Sequence, residues 1–456
     1  MRQRRTLLGV CLALGLAVAA VGTAAGATPR RTTASTYTSY TGGSLGHDAG
    51  EPSIGVSWKT GAVFLQAGLE TDKVVFDAAG HASWSDVSSS TTSFVSLDPI
   101  AASDDATGRI FVSQLAGFGS LMAYSDNDGA SWSMSQGSGV PAGADHQTVG
   151  AGPYPAEGGQ ASLTTYPHAV YYCSQELGTA LCARSDTGGT TFGAGVPAYS
   201  LADCGGLHGH VRVGPDGVVY LPNKSCNGKQ AVVVSEDAGL TWTVRPVPGS
   251  TAGKNGDPSV ATGKDGTAYA ALVNGDGTMR VAVSRDRART WTAPYDLGKQ
   301  VGVVNAAFAE AIAGDGDRAA VAFLGTRTAG DPQNEFFGMD PTHTRYTGGA
   351  YHLYIATTYD RGRTWKTVDT TPTDPVQRGR VCLGGTVSCD VKDRNLLDFM
   401  DLQVDREGRV LVGWPDGCVL ACVTSDLVAT NTYAAVGTIT RQSSGKGLFA
   451  SPPKTL

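Results

Sequence analysis

The sequence predicts an all-β protein that folds as a single seven-bladed β-propeller. The chain has 61 glycines among 456 residues and shows no long helical pattern, which is typical of many short strands joined by tight turns. A strand-turn-strand segment recurs about every 50 residues, the length of one four-stranded propeller blade. A short octapeptide also recurs along the chain. We therefore expect seven blades, with six as the alternative.

The N-terminus has the pattern of a secretory signal peptide. Arg2, Arg4 and Arg5 precede an apolar run over residues 7–21, and small residues follow at 25–27. We predict a signal peptide over residues 1–27 and a secreted product. No later stretch has the ~20 consecutive apolar residues of a membrane helix, so we expect no membrane partner.

The rest of the chain divides into a leader and one domain. Residues 28–45 are rich in Thr and Ser without periodicity, and we interpret them as a flexible leader. Residues 46–456 form the predicted propeller, which we expect to be a monomer because a closed ring completes its own core. Loss of the three arginines of the signal peptide takes the formal charge from -6 to -9. This acidity argues against nucleic-acid binding, which needs a basic face.

Eight cysteines remain after residue 27, and an even number in an exported chain favours disulfides. Proximity in sequence suggests four pairs, among the roughly one hundred connectivities that eight cysteines allow. The suggested pairs are Cys173–Cys182, Cys204–Cys226, Cys382–Cys389 and Cys418–Cys422. We predict no metal or cofactor, because a CxxC zinc spacing is absent and neither GLHGH (206–210) nor GDGD (314–317) completes a ligand set.

The hairpin segments share a polar residue, an apolar strand, a Gly-containing turn and a second apolar strand. Turns such as Pro215-Asp216-Gly217 have residues suited to tight hairpins. We place the innermost strand of each blade at the start of a segment. The segments begin at Glu51, Asp98, His146 (the loosest match), Gly209, Asp257, Glu310 and Met400.

The octapeptide follows the pattern S-x-D-x-G-x-T-W. Its five copies are SDNDGASW (125–132), SDTGGTTF (185–192), SEDAGLTW (235–242), SRDRARTW (284–291) and TYDRGRTW (358–365), with a degraded copy at 77–84. This pattern resembles the Asp-box, or BNR, repeat of the sialidase-like propellers. The resemblance implies a turn between the third and fourth strands in which the Asp carboxylate accepts backbone N–H bonds. It also implies that these turns lie on the face opposite the active site.

The candidate site therefore lies where the innermost strands begin. Seven blades place carboxylates and imidazoles there, and crowded carboxylates raise one another's pKa, as a general acid at neutral pH requires. The alternative is structural, because an acid before Pro can simply form the turn that leads into a strand. The predicted ring is Glu51, Asp98, His146, His210, Asp257, Glu310 and Asp401, approached by Arg394 and Asp398.

The sialidase resemblance assigns some of these residues more specific roles. Glu310 followed by Arg327 is similar to the sialidase glutamate and its second arginine, with Arg394 or Arg345 as the third and Tyr346 as a candidate nucleophile. The chain departs from the family at Glu51, which stands where a first arginine is expected. An acid there would repel a sialic-acid carboxylate.

Three functions follow from these residues, each with a glycan, a polysaccharide or a protein as partner. The first is a glycosidase that uses Glu310 with Asp98 or Asp257. The second is a polysaccharide lyase in which neutral His146 or His210 removes a proton beside a uronate, with Arg394 neutralising the carboxylate. The third is a propeller that binds a glycan or a protein without catalysis.

Overall fold

The computed structural model describes residues 34–93, 98–116, 119–136, 145–156, 166–176, 178–385, 388–390 and 392–453. These residues form seven antiparallel sheets arranged as a β-propeller, so the predicted fold and blade count are confirmed. The predicted signal peptide lies outside the described residues. No helix among the residues described is long and apolar enough to cross a membrane.

Strand β1 (Thr36–Thr41) is followed by six blades that each take four consecutive strands, innermost first. Blade 1 has β2 (Ser53–Val56), β3 (Val63–Ala67), β4 (Glu70–Phe76) and β5 (Ala82–Asp86). Blade 2 has β6 (Ile100–Ser103), β7 (Ile110–Ala116), β8 (Gly119–Ser125) and β9 (Ser133–Met134). Blade 3 has β10 (Asp145–Gly152), β11 (Ala169–Gln175), β12 (Thr179–Ser185) and β13 (Val196–Ser200).

Blade 4 has β14 (Arg212–Val213), β15 (Val219–Cys226), β16 (Lys229–Ser235) and β17 (Thr243–Pro246). Blade 5 has β18 (Ser259–Thr262), β19 (Ala268–Val273), β20 (Met279–Ser284) and β21 (Tyr295–Asp296). Blade 6 has β22 (Asn305–Ala313), β23 (Ala319–Thr326), β24 (Ala350–Thr358) and β25 (Lys366–Asp369), and β26 (Gln377–Arg378) also pairs with β24. Blade 7 has β27 (Asp401–Val404), β28 (Val410–Asp416), β29 (Val436–Ser444) and β1. Short helices cover Lys299–Val301, Lys392–Arg394, Ala421–Thr424 and Val428–Thr430.

The ring is closed by a strand that the sequence analysis missed. The expectation of a flexible leader over residues 28–45 is wrong for Thr36–Thr41, which pair antiparallel with β29 as the outermost strand of blade 7. The reason is that Thr and Tyr favour strands, and Tyr40 packs edge-on against Phe76 with ring centroids 5.1 Å apart. The first and last parts of the propeller are thereby joined in one sheet.

Removing this strand is expected to lower the free energy of unfolding by roughly 3 kcal/mol or more, at about 1 kcal/mol for each lost backbone hydrogen bond. The edge of β29 would also be left unpaired and prone to association. Urea unfolding should compare a chain that begins at Gly42 with one that begins at Ala34. Equal stability and equal solubility of the two chains would contradict a closing role for β1.

Three of the five octapeptide turns have the Asp-to-backbone hydrogen bond that the resemblance implies. The carboxylates of Asp237, Asp286 and Asp360 each accept a backbone N–H from the Thr four residues later, at 2.8, 2.8 and 2.9 Å. These turns lie beside the first hairpins of neighbouring blades, since Arg287 contacts Asp216 at 2.9 Å. Because each innermost strand runs toward that hairpin, it begins on the opposite face.

All four predicted disulfides are confirmed, namely Cys173–Cys182, Cys204–Cys226, Cys382–Cys389 and Cys418–Cys422. The Cys204–Cys226 bridge joins the loop that enters blade 4 to the end of β15. That loop continues directly into His208 and His210, so the bridge restricts the segment that delivers both imidazoles to the candidate site.

Candidate functional site

The starts of the innermost strands form three levels around the axis. In six blades a backbone N–H donates the hydrogen bond that closes the turn between the first and second strands. The residue four positions before that N–H lies at a common level in these blades, which we call the middle tier. In blade 3 the middle-tier residue is Thr148. Its hydroxyl accepts a hydrogen bond from the Val211 backbone N–H of the next blade at 3.0 Å, just as the Ser259 hydroxyl accepts one from the Ala311 backbone N–H at 3.1 Å. The middle tier is Ser53, Ile100, Thr148, His210, Ser259, Glu310 and Asp401.

The residues two positions before the middle tier in the chain form the upper tier, and those two positions after it form the lower tier. In the upper tier the backbones of Glu51, Asp98, His146 and Phe308 share a left-handed conformation, with φ between 46° and 56°. Non-glycine residues in this region are strained and are concentrated at functional sites. The upper tier is Glu51, Asp98, His146, His208, Asp257, Phe308 and Phe399, and the lower tier is Gly55, Ala102, Gly150, Arg212, Ala261, Ile312 and Gln403.

The ring predicted from the sequence is therefore divided between two levels. Glu51, Asp98, His146 and Asp257 lie in the upper tier, whereas the other three members lie one step below. A sequence pattern places each polar residue near a strand start but does not fix its level, because a shift of two residues keeps the same strand face. The three middle-tier members are His210, Glu310 and Asp401.

One side of the upper tier is a chain of hydrogen-bonded charged groups. Arg394 forms a bidentate ion pair with Asp398, and the Asp398 backbone N–H donates to Glu51 Oε1 at 3.0 Å. The Glu51 and Asp98 carboxyl groups bond to each other, and Asp98 accepts the His146 backbone N–H at 2.8 Å. Burial, Asp98 and Asp398 raise the pKa of Glu51 well above its ordinary value. The surroundings of Glu51 thus favour its protonated form, and its hydrogen bonds link two blades.

The chain continues through His146 to an ionised aspartate. His146 Nε2 lies 2.7 Å from Asp257 Oδ2, and Lys224 Nζ lies 3.2 Å from Asp257 Oδ1. Burial alone would raise the pKa of Asp257, but Lys224 and His146 hold it far below its usual range. Burial likewise opposes the charged form of His146, yet Asp257 and Asp145 raise its pKa well above the ordinary value. Asp257 is therefore a carboxylate with a cation on each oxygen.

Asp401 in the middle tier is a buried carboxylate that joins three blades. It accepts hydrogen bonds from Ser53 Oγ at 2.8 Å, from the Ile54 backbone N–H at 3.2 Å and from Arg212 Nη2 at 3.0 Å. Burial opposes its charge, but His210 and Arg212 hold the pKa of Asp401 well below its usual range. With 1% of its surface exposed, Asp401 is saturated by the protein itself.

Glu310 has the opposite electrostatic environment. Its Oε2 accepts a hydrogen bond from Ser259 Oγ at 2.9 Å, and Arg212 Nη2 lies more distant at 3.8 Å. Burial raises the pKa of Glu310 to about 7, with His210 opposing this shift and Asp401 reinforcing it. His210 itself has a raised pKa, because Asp401 outweighs the cost of burying its charge. These surroundings place the pKa of Glu310 near neutral pH.

The same three side chains contain donor types that metals bind. Ligand atoms of His210, Glu310 and Asp401 lie within 4.8 Å of one another. The guanidinium of Arg212 already supplies a cation to both carboxylates, which disfavours a divalent ion at this position. The prediction of no metal remains a prediction.

A small cavity lies between the upper and middle tiers. Its volume of about 20 Å³ holds one water molecule. A larger cavity of about 250 Å³ lies at the lower tier, on the side of the first hairpins. The small cavity is lined by His146, Gln147, His208, Gly209, His210, Asp257, Phe308, Ala309, Glu310, Asp398 and Phe399.

Three residues suggested by the sialidase resemblance lie elsewhere. Arg327 is exposed and donates from Nε to the Val301 carbonyl at 2.9 Å. The Tyr346 hydroxyl accepts from Asn431 Nδ2 at 3.1 Å within the packing between blades 6 and 7. Arg345 pairs with Asp426 on the surface at 2.7 Å. The structure therefore does not bring the predicted arginines 327 and 345, or the predicted nucleophile Tyr346, to the cavity.

Other members of the site were not among the predicted site residues. Arg212 was missed because its position holds small or apolar residues in most blades, and Lys224 because it belongs to a second strand rather than to a strand start. His208 was visible in GLHGH, where the alternation with His210 places both imidazoles on one strand face. Phe308 and Phe399 occupy upper-tier positions that the hairpin pattern left unassigned.

Comparisons with known proteins give the following picture. No protein-family model and no curated protein matches the chain. Among solved structures, a GH74 xyloglucanase from Xanthomonas campestris is 13% identical with a TM-score of 0.49, covering 82% of this chain and 52% of that one. A Hadza microbial sialidase is 14% identical with a TM-score of 0.38, covering 89% and 68%. A mutant of the Aleuria aurantia lectin, in complex with α-methyl-L-fucoside, is 14% identical with a TM-score of 0.40, covering 71% and 96%. At these identities and TM-scores, the activities of these proteins cannot be transferred to this chain.

Proposed function

We propose that this protein is a secreted glycoside hydrolase that acts on an exposed sugar, with Glu310 as the proton donor and Asp257 as its ionised partner. One observation carries the proposal: a carboxyl group whose pKa is raised to about 7 and a carboxyl group whose pKa is held far below its usual range border the same cavity. Paired carboxyl groups whose environments separate their pKa values are what acid-catalysed glycoside cleavage requires. The likeness of the octapeptide to the Asp-box of sialidase-like propellers favours a sugar as the substrate.

Secretion is part of the same proposal. Four disulfides are expected of a chain that folds in an oxidising compartment. The pattern of residues 1–27 supplies the corresponding export sequence. A polymer or branched glycan outside the cell is then the substrate class within reach.

The structure gives less support to a lyase. A lyase base has to be neutral, whereas His146 and His210 both have raised pKa values because Asp257 and Asp401 outweigh the cost of burying their charge. The surroundings of both imidazoles therefore favour the charged form over the neutral form that a lyase base needs. This argues against His146 and His210 as the base of a lyase.

The proposal is tested by incubating the purified protein with sialosides, neutral polysaccharides and uronate-containing polysaccharides. The masses of the products are then measured by mass spectrometry. We expect product masses that correspond to the addition of water. The rate should fall as pH rises through about 7, because Glu310 then loses the proton that it donates. An unsaturated product would indicate the lyase. Binding on a glycan array without any turnover would indicate the non-catalytic propeller.

A further inference from the structure

A second cluster of side chains with metal-binding donors lies at the upper tier, between blades 2 and 3. Ligand atoms of Asp98, Asp145 and His146 lie within 4.8 Å of one another. Asp98 precedes the innermost strand of blade 2, whereas Asp145 and His146 begin that of blade 3. The prediction of no metal rested on CxxC, GLHGH and GDGD, none of which contains these residues.

The contacts of His146 direct one ring nitrogen toward the two aspartates. Its Nε2 lies 2.7 Å from the Asp257 carboxylate, which only accepts hydrogen bonds, so Nε2 carries a proton. Its Nδ1 is buried and lies 3.2 Å from Asp145 Oδ1, but it has no hydrogen-bond partner among the residues that the structure describes. A carboxylate that fixes an imidazole through its second nitrogen is the usual companion of a metal-binding histidine.

The two aspartates of the cluster have no basic residue of their own. The nearby Lys224 and Arg394 form ion pairs with other carboxylates. In the described part of the chain, no Lys or Arg forms an ion pair with Asp98 or Asp145. Two carboxylates that share a site repel each other unless a proton or another cation lies between them. The middle tier differs, because there the Arg212 guanidinium already lies beside both carboxylates.

The separations of the ligand atoms suit a small divalent ion. Bonds of ~2.0 to 2.1 Å to a tetrahedral zinc ion place neighbouring ligand atoms ~3.3 Å apart. The 3.2 Å between His146 Nδ1 and Asp145 Oδ1 already matches this spacing, and the Asp145 side chain is half-exposed and free to adjust. The His146 backbone N–H occupies one lone pair on each aspartate, which leaves others for a metal.

We propose that Asp98, Asp145 and His146 Nδ1 bind a divalent zinc ion, with Asp257 orienting the imidazole. One nitrogen and two carboxylates favour zinc over calcium and magnesium, which prefer oxygen ligands alone. The ion takes the place of a proton on Nδ1, so Nε2 still donates to Asp257. Three protein ligands leave the fourth position of a tetrahedral ion open to water or to an oxygen of a bound molecule. This site does not depend on the proposed glycosidase function.

The test is calorimetric titration of Zn²⁺ into the purified protein after treatment with a chelator. We expect one ion per chain, and an X-ray absorption spectrum with a single imidazole nitrogen and otherwise oxygen around the zinc. Asp145→Asn should lower the affinity by at least about 100-fold, because it removes a ligand. Asp257→Asn should lower it by about 10- to 100-fold, because it loosens the imidazole. Circular dichroism checks that both variants are folded.

Two matched variants control for zinc bound elsewhere. Asp77→Asn alters an exposed pair in which His81 Nδ1 lies 2.9 Å from Asp77 Oδ2, and Glu310→Gln alters the other cluster with metal-binding donors. Both should bind zinc as the parent does. The proposal is overturned if the parent binds no zinc, if Asp145→Asn or Asp257→Asn keeps the parent's affinity, or if Glu310→Gln loses it. Two imidazoles in the spectrum of the parent would overturn it even where a variant failed to fold.

Discussion

Replacing Glu310 with Gln is expected to lower kcat on a natural glycan by about 10³-fold, the usual worth of a general acid. The amide is nearly the same shape and its oxygen can still accept the Ser259 hydroxyl, which lies 2.9 Å from the carboxylate. The amide lacks an acidic proton that it could transfer to the leaving group. The loss should therefore appear in kcat, with little change in KM.

The leaving group of the substrate provides the diagnostic comparison. An aryl glycoside such as a nitrophenyl derivative leaves as a stable phenolate and needs little protonation, so Glu310→Gln should slow its hydrolysis far less than that of the natural glycan. Asp286→Asn is the matched control, because it makes the same carboxyl-to-amide change in an octapeptide turn on the opposite face. Equal losses on both substrates would point to a structural role for Glu310.

Stability gives an independent readout of the same substitution. The pKa of Glu310 is raised in the folded protein, so its contribution to stability is present below the ordinary glutamate pKa and is lost as pH rises through about 7. Gln does not titrate and avoids this loss. We expect Glu310→Gln to be more stable relative to the parent at pH 8 than at pH 5.

The fold was predictable because each blade repeats a local solution. The Asp-to-backbone bonds of Asp237, Asp286 and Asp360 are determined within eight residues of sequence, and the four disulfides join sequence neighbours. The closing strand β1 was not predictable in this way. Its partner β29 lies about 400 residues away in the chain, and no local pattern in a Thr/Ser-rich segment encodes such a pairing.

The candidate site was predictable only in part, for a similar reason. The hairpin pattern identifies Glu51, Asp98 and Asp257 as strand starts, but it cannot show which group neutralises which. Lys224 reaches Asp257 from a different strand, and Arg212 crosses from blade 4 to Asp401 on blade 7. These contacts decide which carboxyl groups are protonated, so the assignment of roles depended on the three-dimensional structure.

Asp401→Ala is expected to destabilise the protein by about 3 to 5 kcal/mol, the cost of removing one partner from a buried ion pair. The substitution leaves the Arg212 guanidinium and the His210 imidazole buried without their shared carboxylate. It also frees the Ser53 hydroxyl and the Ile54 backbone N–H, which link blade 1 to blade 7. Both effects act at the point where the ring closes.

The measurement is urea unfolding at pH 7, with Asp276→Ala as the matched control. Asp276 also pairs with an arginine, Arg280 at 2.8 Å, but on an exposed surface, where such a pair contributes about 0 to 1 kcal/mol. The paired variant Arg212→Met with Asp401→Leu should be less destabilised than Asp401→Ala alone, because it leaves no arginine buried without its partner. A loss below about 1 kcal/mol for Asp401→Ala would contradict a closing role for this carboxylate.

The difference in unfolding free energy between the parent and Asp401→Ala should change with pH in a defined direction. The pKa of Asp401 is held below its usual range, so its stabilising contribution is present above the ordinary aspartate pKa of about 4 and is lost as pH falls further. The gap between the parent and Asp401→Ala should therefore be largest near neutral pH and should narrow below about pH 4. A gap that stayed constant across this range would mean that the side chain stabilises the ring by packing, and that its charge contributes nothing to closure.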